Sequence, residues 1–240
     1  MSLLSIQSLN HYFGGLKAVS NFNIDLEEGS IYGLIGPNGA GKTTMFNLIT
    51  GVHQLSEGKI IINGTDITSK PPHFIAKQGI ARTFQNLRLF SRLTVRENIE
   101  VTHYNIFKRN ADSKLIEYLL DMFKLKKYEN HFSGELPYGI QRMVEISRAL
   151  SIKPKLLLLD EPAAGMNPSE VDNLRDLTAN ILKEFDITIL LIEHQMRMVM
   201  NLCHYITVMN FGEIIAQGTP KEIISNKNVA EAYLGKEAAG

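Results

Sequence analysis

Hydrophobic and polar positions in the first part of the chain follow the pattern of strands separated by tight turns. Apolar and β-branched residues dominate 3–9, 17–26 and 31–35, and glycines separate these stretches. A short helix is predicted over 42–50, where Gly51 closes it because glycine readily takes the left-handed conformation that ends helices. The start of the chain therefore predicts several strands followed by a helix.

The middle of the chain carries helical periodicity instead. Thr94 and Glu97 have the spacing of a capping box, which marks the start of a helix. Apolar residues over 115–123 then recur at helical spacing. These features predict a helical lobe inserted at about 87–150.

Strand patterns return in the last part of the chain. The unbroken apolar runs 156–159 and 187–192 are typical of strands buried on both faces of a parallel sheet, and 205–216 has the pattern of a hairpin. The chain is therefore predicted to be one α/β domain, with a core formed by 1–86 and 151–240.

Composition and charge narrow the classes of function. The chain has 25 basic and 25 acidic residues, whereas proteins that bind nucleic acid usually carry a basic surplus, so no nucleic-acid partner is expected. The single cysteine, Cys203, cannot form an internal disulfide, which fits a reducing, cytoplasmic compartment. The sequence has no signal-peptide pattern and no apolar stretch long enough to span a bilayer. Any role at a membrane is therefore expected to depend on a partner.

The segment 36–43 matches the P-loop pattern G-x-x-x-x-G-K-[ST] between a predicted strand and a predicted helix. A glycine-rich turn that matches by accident is the alternative, but this context disfavours it. Lys42 is expected to reach the β- and γ-phosphates of ATP, and the Thr43 hydroxyl to ligate Mg²⁺. The predicted phosphate-binding residues are Gly36, Pro37, Asn38, Gly39, Ala40, Gly41, Lys42, Thr43 and Thr44.

Two carboxylates follow the apolar run 156–159, at the edge where an open α/β sheet binds ligands. Asp160 is expected to hold Mg²⁺. Glu161 is expected to point elsewhere, because side chains alternate along a strand, and to polarise the attacking water. The alternative is that both residues only end a strand and cap the next turn. The nearby P-loop favours the catalytic interpretation.

Taken together, these motifs resemble an ATP-binding cassette (ABC) ATPase over nearly the whole chain. The resemblance also rests on the segments 82–86, 136–142 and 163–167 and on His194, whose order and spacing match this family. It implies a RecA-like core, an antiparallel β subdomain and an inserted helical subdomain.

The resemblance assigns further roles to individual residues. Gln85 is similar to the glutamine that senses Mg²⁺ and the attacking water, which makes Thr43, Gln85 and Asp160 the predicted metal site. His194 resembles the histidine that contacts the γ-phosphate. Phe13 resembles the aromatic residue that stacks on adenine, with Tyr12 as the competing choice. The predicted catalytic residues are Lys42, Gln85, Glu161 and His194.

The segment 136–142 departs from the family signature Leu-Ser-Gly-Gly-Gln. Pro137 replaces the serine, Tyr138 the first glycine and Ile140 the glutamine. The remaining N–H groups of Tyr138 and Gly139, together with the helix dipole, are still expected to bind the phosphate of an ATP held mainly by a second subunit. Pro137, Tyr138 and Gly139 are therefore included among the predicted nucleotide-binding residues.

Several segments resemble the ATPases of branched-chain amino acid importers in particular: 13–18, 79–86, 136–139, 160–168 and 232–235. This resemblance implies a second ABC ATPase subunit, identical or homologous, permease subunits in the membrane and, indirectly, a substrate-binding protein. The chain would then be cytoplasmic and peripheral on the inner face of the membrane. The alternative is a soluble ABC ATPase of DNA repair or translation.

Overall fold

The computed structural model describes residues 2–108 and 112–234 and, of residue 234, only the backbone. The strands in these residues are β1 (Ser2–Phe13), β2 (Leu16–Glu27), β3 (Ile31–Ile35), β4 (Glu57–Ile62), β5 (Thr65–Asp66), β6 (Ile80–Arg82), β7 (Leu156–Asp160), β8 (Thr188–Ile192), β9 (Tyr205–Asn210) and β10 (Glu213–Gly218). The helices are α1 (Lys42–Ile49), α2 (Pro72–Lys77), α3 (Val95–Phe107), α4 (Ser113–Met122), α5 (Tyr138–Leu150), α6 (Pro168–Phe185), α7 (Met196–Leu202), α8 (Pro220–Ile224) and α9 (Lys227–Leu234).

Two sheets organise these elements. The larger has the order β10-β9-β3-β8-β7-β6, in which all neighbours except the β10–β9 hairpin are parallel. The smaller is antiparallel, with the order β2-β1-β4-β5. The predicted hairpin and parallel strands are confirmed. Strand β1 runs beyond the predicted residue 9, because residues 11–13 continue the pairing with β2 as far as Phe13 and Leu16.

The large sheet is buried on both faces, as the unbroken apolar runs predict. Every residue of β7 and β8 is buried. Leu156 and Leu158 pack in one apolar cluster together with α1 and the small sheet, whereas Leu157 and Leu159 pack in another against the helices. Because side chains alternate along β7, the strand that ends at Asp160 packs against one layer on each face of the sheet.

Helices dominate the segment between β6 and β7. Thr94 caps α3 and forms the predicted capping box with Glu97. Helix α3 packs against α5, and the buried amide of Asn98 donates to Ser133 Oγ at 2.8 Å, which fixes the chain leading into α5. The fold class is confirmed, while the division at 87–150 stays a prediction. None of the helices in the described part of the chain combines the length and apolarity that a bilayer crossing requires.

Candidate nucleotide-binding site

The loop from Gly36 to Gly41 connects β3 to α1 through a close-packed turn. A Cβ on Gly36 would lie 2.0 Å from the Met209 carbonyl oxygen, and a Cβ on Gly41 would lie 2.8 Å from the Ala18 carbonyl oxygen. Both glycines also have positive φ, at 149° and 105°. The loop therefore approaches other backbone segments too closely for any side chain at these two positions.

The loop also surrounds the side chain of Lys42. The ammonium group is buried and donates to the carbonyl oxygens of Gly36 (2.7 Å) and Pro37 (2.9 Å). Placed at the first residue of α1, it adds a positive charge to the positive end of the helix dipole. The combination of exposed loop, helix start and cation suits a polyphosphate anion.

A cavity of about 840 Å³ opens over this loop. The predicted residues that line it are Phe13, Asn38, Gly39, Ala40, Gly41, Lys42, Thr43, Thr44, Gln85, Glu161 and His194. The fold thus brings together one loop and four residues that are far apart in the sequence. Gly36 and Pro37 contribute their carbonyls to Lys42 instead.

Part of the cavity wall was not predicted. Leu16, Lys17 and Ala18 on β2 line it, as do Phe211 and Gly212 in the β9–β10 turn. This turn is anchored at the P-loop, since Gly212 N donates to the Ala40 carbonyl at 3.0 Å. The one signal in the sequence was Phe211 itself, an aromatic residue in a turn where polar residues are usual. In the structure this side chain is 86% exposed.

The aromatic residue at the cavity is Phe13 rather than Tyr12. Phe13 is 46% exposed and lines the cavity, whereas Tyr12 lies near Lys17, whose Nζ is 5.8 Å from the ring centroid. The rings of His11 and His53 meet Phe13 edge-on, with centroids at 4.6 Å and 5.4 Å. Burial, aided by the neighbouring His53, lowers the pKa of His11. The half-exposed Phe13 ring, supported by these two neighbours, is suited to stack on a base.

Three predicted catalytic side chains form one hydrogen-bonded group. Glu161 accepts from Gln85 Nε2 through Oε2 at 2.7 Å, and its Oε1 lies 2.8 Å from His194 Nε2. Alternation along the strand is the wrong reason for the position of Glu161, because β7 ends at Asp160. Glu161 follows in a left-handed conformation with φ of 46°, held by its N–H donating to the Ile192 carbonyl at 2.9 Å.

Asp160 is buried behind this group and forms an ion pair with Arg82. Arg82 Nη2 lies 2.7 Å from Asp160 Oδ2, and the two side chains are 5% and 3% exposed. Burial raises the pKa of the Asp160 carboxyl, and the guanidinium opposes this change. Arg82 also donates to Asn47 Oδ1 at 2.8 Å, which fixes the guanidinium relative to α1. Arg82 was not among the predicted site residues, although it is part of the segment 82–86.

A buried carboxylate, Glu193, holds the segment around His194. It accepts from the backbone N–H groups of Ala163, His194 and Gln195 at 2.8, 2.8 and 3.1 Å. Glu193 therefore links the end of β8 to the chain that follows Glu161. Glu193 was not among the predicted site residues, because its partner Ala163 comes next to it only when β7 and β8 pair in the folded sheet.

The residues of the atypical signature lie apart from this cavity. Pro137 caps α5, and Tyr138 and Gly139 are its first two helical residues. Pro137 and Gly139 line a separate cavity of about 710 Å³ between α5 and α6. Within one chain, the structure does not bring Pro137, Tyr138 or Gly139 to the P-loop.

Comparisons with known proteins agree with this architecture. The ABC transporter family model matches residues 19–164, and a model described as a branched-chain amino acid ATP-binding cassette transporter matches residues 213–239. The chain belongs to the ATP-binding cassette transporter family. The predicted family and ATPase class are therefore confirmed, and nucleotide binding follows from them.

Individual relatives cover nearly the whole chain. The high-affinity branched-chain amino acid transport ATP-binding protein BraF of Pseudomonas aeruginosa is 43% identical, and LivG of Escherichia coli K12, which bears the same description, is 41% identical; 98% of each chain is covered in both cases. Among solved structures, the ADP conformation of MJ1267, an ATP-binding cassette of an ABC transporter, has a TM-score of 0.88 at 32% identity. That match covers 98% of this chain and 99% of the other.

Proposed function

We propose that this chain hydrolyses ATP in the 840 Å³ cavity to power the import of branched-chain amino acids. The observation that carries the proposal is the juxtaposition of the P-loop on one wall with the hydrogen-bonded Glu161, Gln85 and His194 on the other. The match over residues 213–239 and the descriptions of BraF and LivG support the choice of transported substrate.

The donor set of the proposed site fits Mg²⁺. Thr43, Gln85 and Asp160 would each coordinate through oxygen, which suits a hard cation. Thr43 and Gln85 line the cavity, whereas Asp160 is paired with Arg82 and would reach the metal through its other carboxylate oxygen. Among the described residues, no three His, Cys, Asp or Glu side chains are grouped to hold a metal by themselves. Mg²⁺ usually completes its coordination with phosphate oxygens and water, so the metal would enter together with the nucleotide. When bound, it would neutralise charge that develops on the phosphates.

In this proposal each side chain of the cavity has a separate role in hydrolysis. Lys42 exchanges its bonds to the loop carbonyls for bonds to the β- and γ-phosphates. Glu161 takes a proton from the attacking water as the water oxygen bonds to the γ-phosphorus and the bond to the β,γ-bridging oxygen breaks. Gln85 and His194 hold the Glu161 carboxylate at 2.7 and 2.8 Å, which orients it toward the γ-phosphate.

A second ABC ATPase subunit, identical or homologous, completes the site in this proposal. Pro137 and Tyr138 are exposed at the start of α5, where the helix dipole favours an anion, and they are remote from the P-loop of their own chain. A head-to-tail pair of subunits would place this helix start against the nucleotide of the neighbour. An isolated chain should then be a weak ATPase.

In this proposal the permease subunits dock at a groove of about 370 Å³ beside the Gln85 segment. Phe90, which is 50% exposed, lines this groove together with Arg88 and Arg148. An exposed aromatic residue flanked by arginines is typical of an interface anchor. Docking here would place the chain in the cytoplasm at the inner face of the membrane, with a substrate-binding protein acting indirectly through the permeases.

The test is reconstitution of the chain with its permeases and partner ATPase in vesicles. ATP-dependent uptake of leucine, isoleucine or valine that is lost in Glu161→Gln is the expected result. ATP hydrolysis without uptake of any of the three would refute the assignment of substrate. Salt-sensitive binding of the purified chain to nucleic acid or ribosomes would favour the repair or translation class instead.

A further inference from the structure

One face of α5 binds the backbone of the segment that carries Gln85. Arg142, which is fully buried, donates from Nη1 to the Phe84 carbonyl at 2.6 Å and from Nη2 to the Gln85 carbonyl at 2.8 Å. Arg148 donates to the Arg88 carbonyl at 2.6 Å. Charged donors held at these distances make strong hydrogen bonds. The segment 84–88 is therefore fastened to α5 through its main chain.

A second side chain of α5 completes this attachment. Glu145 forms an ion pair with Arg142 at 2.6 Å, and both side chains are essentially inaccessible to solvent. The other oxygen of Glu145 lies 3.4 Å from the backbone nitrogens of Phe84 and Arg88. The ion pair thus offers an acceptor and a donor to the same loop, which favours movement of the loop and the helix as one body.

Tyr138 extends the attachment to the first turn of α5. Its hydroxyl accepts from Arg142 Nη2 at 2.9 Å, the same nitrogen that donates to the Gln85 carbonyl. Its ring also lies against Gly165, where a Cβ would come within 3.6 Å of Cε1. The residue that stands in place of the first signature glycine is therefore linked to the Gln85 segment through Arg142, and it lies against the segment that follows Glu161.

We propose that Tyr138 is a positioning residue for Gln85. Through Arg142 it fixes the Gln85 main chain to the exposed start of α5, so that a shift of Gln85 at one nucleotide is passed to the surface that meets the other nucleotide of the dimer. The inference rests on the proposed function, because it assigns the start of α5 to a second site. The substitution of glycine by tyrosine then adds a link between the two sites.

The test compares Tyr138→Phe with a matched control, Tyr118→Phe. The two tyrosines are 42% and 43% exposed, and the Tyr118 hydroxyl donates to Glu184 at 3.0 Å on a surface remote from Gln85. In the isolated full chain, Tyr138→Phe should speed hydrogen exchange of the Phe84 and Arg88 amides by about tenfold, because a hydrogen bond to a charged donor is lost. Tyr118→Phe should leave these amides unchanged.

In the complete transporter, Tyr138→Phe should lower kcat by about tenfold while KM changes by less than about twofold. If Tyr138 acts through Gln85, adding Tyr138→Phe to Gln85→Ala should cause no further loss of kcat. Additive losses would overturn the proposal, as would exchange rates and kcat equal to those of Tyr118→Phe.

Two further outcomes are distinguishable. A wild-type transporter that hydrolyses no ATP would refute the proposed function, whereas an active wild type with an unaffected Tyr138→Phe refutes only the role of Tyr138. A Tyr138→Phe chain that melts more than about 10 °C below both wild type and Tyr118→Phe would show a general structural role, because one lost hydrogen bond accounts for only about 3–6 °C, and would also overturn the proposal.

Discussion

Replacing Arg82 by methionine is expected to destabilise the folded chain strongly. The substitution removes the guanidinium that lies 2.7 Å from Asp160 and leaves a carboxylate whose side chain is 3% exposed. Methionine retains part of the packing between the rings of Phe46 and Phe84, whose centroids lie 5.4 and 4.8 Å from the guanidinium carbon. The perturbation is therefore mainly electrostatic.

The magnitude follows from the burial of both partners. Removing one member of a buried ion pair costs about 3–5 kcal/mol, because the other charge stays buried without compensation. For a chain of this size the melting temperature should fall by about 6–20 °C. The surface pair Arg175 and Asp176 provides the control: Asp176 is 67% exposed, so Arg175→Met should cost less than about 1 kcal/mol.

The loss of stability should also depend on pH. Burial raises the pKa of Asp160 in the folded chain, and removing Arg82 takes away the main influence that opposes this rise. The folded variant then binds a proton more readily than the unfolded chain does. The loss is therefore greatest above the raised pKa of Asp160 and should shrink as pH falls toward about 4, the ordinary value for a carboxyl.

Urea unfolding followed by circular dichroism measures these effects. The double variant Arg82→Met with Asp160→Asn should recover most of the lost stability at pH 7, because it removes the unpaired charge. A double variant no more stable than Arg82→Met alone would refute the explanation by buried charge. So would a loss of stability that is the same at pH 5 and pH 8.

Four other substitutions probe the P-loop and the cavity. Glu161→Gln should lower kcat by about 10²–10⁴-fold while ATP binding persists, as measured by phosphate release and nucleotide titration. Gly36→Ala should prevent normal folding or nucleotide binding, because its Cβ would lie 2.0 Å from a carbonyl oxygen, whereas Gly39→Ala meets nothing within 4 Å and should cost only about 1–2 kcal/mol in backbone strain. Phe13→Ala should raise the Kd for ATP by about three- to tenfold through lost stacking, and an unchanged Kd would exclude a contact with the base.

Local chemistry made much of the fold predictable. Three patterns predicted their elements correctly: the apolar runs of the buried strands, the capping box at Thr94 and the hairpin pattern over 205–216. Each depends on residues close together in the chain, and the tertiary structure did not override it. The P-loop was equally visible, because its glycines, lysine and threonine act as one contiguous segment between a strand and a helix.

Contacts between distant segments were not predictable in the same way. Three contacts form only when the sheet has brought the ends of its strands to one edge. They are the ion pair of Arg82 with Asp160, the hydrogen bond from Ala163 N to Glu193, and the hydrogen bond from Gly212 N to the Ala40 carbonyl. Periodicity carries no information about which loop will face which. The left-handed backbone that positions Glu161 is likewise set by its neighbours and not by its residue type.

The sequence alone determined the α/β class, the P-loop and the two carboxylates, because each depends on residues that are adjacent or regularly spaced in the chain. Only the tertiary structure decided that Phe13 rather than Tyr12 faces the cavity, that Glu161 binds Gln85 and His194, and that Tyr138 reaches Gln85 through Arg142. These choices depend on side-chain directions at separate sheet edges and helix ends, which are fixed only when the layers pack together.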